Sequence, residues 1–136
     1  RIARTNRGYQ LQMNNPKTIA DYFMEDMRHH RVEVFKGAFF DAKCNFIGSE
    51  TVAKGSLSFA YVSPAELFRK ALLKNAVMIV ILHNHPSGDP TPSREDLELT
   101  QQIARGAQLL GITLADHIVI GDNRYYSFRE NHRLET

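Results

Sequence analysis

The sequence predicts an α/β domain of the α+β type, a mixed sheet with flanking helices, on three observations. Val77-Met78-Ile79-Val80-Ile81-Leu82 is an unbroken apolar run of strand length, as expected of a central strand covered on both faces. Residues 33–53 read as a Val- and Phe-rich strand, a short polar turn and a second strand, the pattern of a hairpin. Three further segments carry apolar residues at helical spacing behind recognisable start signals.

Arg1 to Asn14 lacks sustained periodicity and reads as an arm, so residues 1–15 are set apart from a single domain over 16–136. Asn15-Pro16 offers a cap followed by proline at the first helical position. Ile19, Tyr22, Phe23 and Met27 then extend a helix to about His29. The first strand covers Glu33 to Phe40, Asp41-Ala42-Lys43 turns the chain, and the second strand runs from Cys44 to Ala53. Ser63-Pro64-Ala65-Glu66 combines a serine cap, a first-turn proline and a glutamate three residues past the cap. The helix it starts should reach Asn75 and bury Leu67 and Ala71, with Leu72 or Phe68 beside them. Proline and glycine crowd the stretch from Pro86 to Pro92, which must be a loop. A long amphipathic helix, Arg94 to Leu110, closes at Gly111. Two final strands, Ile112 to Gly121 and Arg124 to Arg129, flank the turn Asp122-Asn123.

Composition excludes several classes. The chain has 136 residues, 43% apolar and 24% charged, which is the balance of one soluble globular domain with a real core. Its longest apolar run, Ala76 to Leu82, is far too short to cross a bilayer, and no signal peptide opens the chain. Cys44 is the single cysteine, so no intramolecular disulfide can form, which fits a reducing cytoplasm. A net charge of +2 lacks the basic excess of a dedicated nucleic-acid binder. Arg1, Arg4 and Arg7 read as a frayed basic terminus, and a start at Arg1 rather than Met points to a fragment of a longer protein.

The chemistry gathers where the central strand ends. In His83-Asn84-His85 the two histidines are two residues apart in extended chain and therefore point to one side, where both can reach one ion. Histidine is the most frequent protein ligand of zinc, and a catalytic zinc takes three protein ligands and leaves a position for water. Asp89 and Asp96 are the carboxylates available as the third. Asp96 is preferred because Ser93 caps the long helix and Asp96 sits in its first turn, on a rigid element. Asp89 lies in the turn Gly88-Asp89-Pro90, where aspartate often bonds its own backbone. Taken singly, a His-x-His pair and a Ser-x-x-Asp cap are ordinary features. Together, at the mouth of a buried strand, they make one compact site.

These residues resemble a known family. His83-x-His85, seven residues to Ser93 and then Asp96 is similar to the JAMM motif of the MPN/JAB metalloprotease fold. The fuller stretch from His83 to Asp96 resembles the RadC-like bacterial branch, as do Asp116-His117-Ile118-Val119-Ile120-Gly121 and Gly55-Ser56-Leu57. The resemblance extends over roughly Lys17 to Glu130. It implies a cytidine-deaminase-like, MPN-type architecture with one zinc ion held by His83, His85 and Asp96, and a water in the fourth position. It also implies a glutamate on an early strand as general acid/base. Glu33 opens the first strand and fits that place, with Glu50 on the second strand as the competitor. Full-length RadC-like proteins usually carry an N-terminal region resembling helix-hairpin-helix DNA-binding modules, through which contact with nucleic acid would come. No such region is present among these residues.

The expected reaction is zinc-dependent hydrolysis of an amide or isopeptide bond in a protein or peptide, with Glu33 moving the proton and Ser93 donating to the developing oxyanion. The rivals are a metal-dependent nuclease, for which Arg94 and Lys74 supply little basic charge, and a non-catalytic binding module. His29, His30 and His132 should lie on the surface and Cys44 should pack as a small residue. Asp116-His117 reads as a buried histidine at a strand start, with a place behind the metal ligands as the alternative. Oligomeric state is left open.

Overall fold

The structure, a computed structural model, describes residues 15–55 and 62–134. Apart from Asn15, the arm lies outside the described residues, and so do Ser56 and Leu57. Helix α1 (Pro16–Met27) begins where the Asn15 side chain accepts from the Thr18 N–H, and it ends at Met27, its last fully buried residue, two short of the expected His29. Strands β1 (Val34–Phe40) and β2 (Phe46–Lys54) form the antiparallel hairpin. Strand β2 starts later than expected because Cys44 takes a left-handed φ of 67° inside the turn. There Asp41 Oδ1 accepts from the Lys43 and Asn45 N–H groups, closing the turn on itself.

Helix α2 (Pro64–Leu73) is capped by Ser63, whose Oγ accepts from the Glu66 N–H at 3.2 Å. It stops before Asn75 because that residue also adopts a left-handed φ, of 57°. Its apolar face is Leu67, Phe68 and Ala71, while Leu72 is exposed. Strand β3 (Met78–Asn84) leads into the loop, helix α3 (Arg94–Leu110) and strand β4 (Thr113–Ile120) follow, and β5 (Tyr125–Ser127) closes the sheet. Gly111 ends α3 at a φ of 72°, the conformation glycine adopts at least cost.

The sheet order is β2-β1-β3-β4-β5. The pair β3–β4 is parallel and the others are antiparallel, so this is a mixed sheet with α3 as the crossover. Helix α1 covers one face, where Ile19, Phe23 and Met27 pack with Val80, Leu82 and Ile118. Helices α2 and α3 cover the other, where Leu67, Ile103 and Ala107 pack with Ile79 and Ile81. Alternate residues of β3 thus enter different cores, which is why its apolar run has no polar interruption. Each such side chain contributes about 1.5–3 kcal/mol by leaving water. Among the described residues no helix is long and apolar enough to cross a membrane. Because β1 runs antiparallel to β3, the start of β1 lies beside the end of β3, and the N-terminus of α3 arrives at the same place.

Candidate metal centre

His83 ends β3, His85 stands two residues on, and Asp96 occupies the third position of α3. The Nε2 atoms of the two histidines are 3.0 Å apart. Asp96 Oδ1 is 3.2 Å from His83 Nε2, and its Oδ2 is 3.2 Å from His85 Nε2. Ligands at 2.0–2.1 Å around a tetrahedral ion stand about 3.3 Å from one another, so these three donors fit a zinc-sized ion with little movement. His83 and Asp96 are buried, while His85 keeps 17% of its side chain exposed, which leaves the site open on one side.

The helix start is bound into the same geometry. Ser93 Oγ accepts from the Asp96 N–H at 3.1 Å, and Asp96 Oδ2 accepts from the Ser93 N–H at 2.8 Å, a complete capping box. Burial pushes the Asp96 carboxyl up, but the hydrogen bonds with the two histidine rings and the Ser93 N–H outweigh it and hold the group well below the usual carboxylate range. Asp96 is therefore an anion, as a ligand must be. The Asp96 hydrogen bond in turn raises the His85 pKa, against the opposing effect of burial.

Hydrogen bonds behind the histidines fix which nitrogen faces the site. Thr100 Oγ1 donates its single proton to the Asp96 carbonyl at 2.7 Å, so it accepts from His117 Nδ1–H at 2.5 Å. Burial holds the His117 pKa well below the ordinary value, so the ring is neutral and its Nε2 is an acceptor. That Nε2 lies 2.9 Å from His83 Nδ1, which donates to it and leaves His83 Nε2 for the site. His85 is set the same way, since its Nδ1 donates to the Asp89 carbonyl at 2.9 Å. His117 is thus buried as expected, but in the middle of β4 rather than at a strand start, and it is also bonded directly to His83. Thr100 was not singled out from the sequence, although its place four residues after Asp96 puts the two on one helix face.

Among the carboxylates, Glu33 immediately precedes β1 and places an oxygen within 4.8 Å of ligand atoms of both His83 and His85. Glu50 sits opposite Gly37 on β2 and is held by Lys70 at 3.1 Å and Lys74 at 3.2 Å. Those bonds lower its pKa, that from Lys70 most. The Asp89 carboxylate accepts from the Thr91 N–H and hydroxyl at 3.0 and 2.8 Å, inside its own turn. His29 and His132 are exposed, His30 is half-buried, and Cys44 packs partly buried against the α1 core.

Behind His117, Asp116 accepts from Ser127 Oγ at 2.5 Å, the His117 N–H at 2.7 Å and the Arg129 N–H at 2.9 Å. Burial pushes its carboxyl up to about 6 despite these bonds. The folded state therefore keeps a proton that the unfolded chain has released, and stability should fall as pH rises from 3.8 to about 6. At 1.36 kcal/mol per unit this is about 3 kcal/mol. Thermal melts across that window should show the wild type losing stability relative to Asp116→Asn. Parallel profiles would mean that Asp116 does not titrate there.

A family model described as RadC-like JAB domain matches residues 13–134. A UPF0758 protein of Desulfitobacterium hafniense is 44% identical over 118 residues, 87% of this chain and 52% of that protein. One from Caldanaerobacter subterraneus is 39% identical over 130 residues, 96% and 56% of the two chains, and one from Clostridium beijerinckii is 42% identical over 120 residues, 88% and 52%. The chain spans about half the length of these curated relatives. With the family matched over nearly all of its length, the chain belongs to the RadC-like JAB family.

Proposed function

We propose that this domain is a zinc-dependent hydrolase of the cytoplasm that cleaves an amide bond, in a peptide or at an isopeptide linkage. The observation that carries the reading is the pair of Nε2 atoms with the Asp96 carboxylate at 3.0–3.2 Å, and the Glu33 carboxylate beside them. His83, His85 and Asp96 would hold the ion, which when bound lowers the pKa of a water toward neutrality and polarises a carbonyl. Glu33 takes the proton of the attacking water and delivers it to the leaving nitrogen. Ser93 accepts the Asp96 N–H, and its own hydroxyl proton is a donor suited to the developing oxyanion. Thr100 and His117 keep His83 in the required tautomer.

Charge favours an amide over a phosphodiester. Lys74 is already paired with Glu50 at 3.2 Å, and Arg94 pairs with Glu98 at 3.5 Å. A nuclease needs such cations for its anionic substrate. The test is metal analysis of purified protein alongside a panel of peptides, isopeptide-linked conjugates and DNA. Close to one zinc per chain is expected, with amide cleavage that a chelator abolishes and zinc restores. Chelator-sensitive cleavage of DNA without cleavage of any amide would overturn the reading in favour of a nuclease.

A further inference from the structure

The middle residue of His83-Asn84-His85 is not among the metal donors, yet it is 1% exposed. Its amide reaches across to the chain entering β1. Asn84 Oδ1 accepts from the Val34 N–H at 2.7 Å, and Nδ2 donates to the Val32 carbonyl at 3.1 Å. Val32 and Val34 flank Glu33, so one side chain grips the backbone on both sides of that residue. The main-chain ladder between β1 and β3 ends at the pair Phe35–His83. Past it, His85 gives its N–H to the Ile120 carbonyl on the opposite side, at 2.9 Å. The Asn84 amide carries a donor and an acceptor in one plane, as a peptide group does, and continues the ladder by one step. On the β2 side the Gly55 N–H donates to the Glu33 carbonyl at 2.9 Å, so the backbone of Glu33 is held by the main chain of that neighbour on one side and by the Asn84 amide on the other.

We infer that Asn84 is a positioning residue that holds Glu33 within reach of His83 and His85. The inference rests on the acid/base reading of Glu33 above. Proton transfer demands close placement, and a shift of about 1 Å can cost on the order of 10²-fold in rate. Aspartate at this position would offer acceptors alone, and leucine, of similar size, would offer neither link. Once a substrate is known, Asn84→Leu should lower kcat toward the value of Glu33→Gln and leave KM unchanged.

The inference can be tested before any substrate is known, using cobalt(II) alone as the probe. In cobalt-loaded protein, paramagnetic broadening of the Glu33 carboxyl carbon reports its distance from the ion. Asn84→Leu, and the milder Asn84→Ser, should bind cobalt with near wild-type affinity while the Glu33 broadening weakens. Hydrogen-exchange protection of the Val34 amide should drop about tenfold, the loss of one ordinary hydrogen bond. Undiminished broadening in either folded, loaded variant would overturn the positioning role. So would a collapse of cobalt affinity in step with the broadening, because that is general disruption of the site. Failure of the wild type to take up cobalt would instead overturn the metal-centre reading. In that event unchanged Val34 protection in the metal-free variants would overturn the grip as well, and its loss would support it.

Discussion

Glu33→Gln is expected to keep its metal and lose turnover by about 10²–10⁴-fold, the contribution of one positioned acid/base group. Glutamine preserves the shape of the side chain but cannot accept a proton. Zinc content and turnover must be measured on the same preparation, because the geometry poses a sharp alternative. Glu33 stands close enough to His83 and His85 to be a ligand itself. If zinc disappears together with turnover, Glu33 is a ligand and the proton carrier lies elsewhere. Glu50→Gln is the control. Its carboxylate is engaged by Lys70 and Lys74 at a partly exposed position, so the change should remove little more than a surface ion pair, about 0–1 kcal/mol.

Asp96→Asn should weaken zinc binding by more than the roughly 10–100-fold that loss of a supporting group behind a ligand costs, and His83→Ala should do the same. The asparagine can still accept from the Ser93 N–H, so the start of α3 should survive and the loss will report on the ion rather than on the helix. Asp89→Asn should leave zinc binding nearly unchanged, because Asp89 supports His85 through its backbone carbonyl, which the substitution keeps. Equilibrium competition against a chelator of known affinity measures all three. A strong loss in Asp89→Asn with retention in Asp96→Asn would reverse the assignment of the carboxylates.

The elements of this fold were legible because their signals are local. Apolar period, a serine cap at Ser63 and Ser93, and glycine at position 111 each act within a few residues. Two of the misplaced ends fall at Cys44 and Asn75, where a non-glycine residue takes a left-handed backbone that no periodicity announces; α1 also stops two residues before His29, and β5 stops at Ser127, two before Arg129. The histidine pair was legible because alternate residues of an extended chain share a side, and Asp96 because it opens the helix that follows the loop after β3. What supports them was not. The bond from His117 to His83 depends on the parallel register of β4 with β3, and the reach of Asn84 to residues 32 and 34 depends on β1 starting beside it. Both are consequences of sheet order, which the order of elements along the chain leaves open.

The strand that carries the histidines takes both of its neighbours from far away in the chain. Strand β1 pairs with it across the whole of β2 and α2, and β4 pairs with it only after α3 has crossed over. Loop-closure entropy opposes both pairings before any contact repays it, whereas the β1–β2 and β4–β5 hairpins close locally. Refolding should therefore run between the microseconds-to-milliseconds of helical bundles and the milliseconds-to-seconds of all-β folds, with hairpins and helices formed before the central strand docks. His83, His85 and Asp96 converge only when that docking is complete. Metal capture in a refolding experiment should then appear as the closing kinetic phase, later than the recovery of helical signal, and a chain able to hold the ion is one that has finished building its sheet.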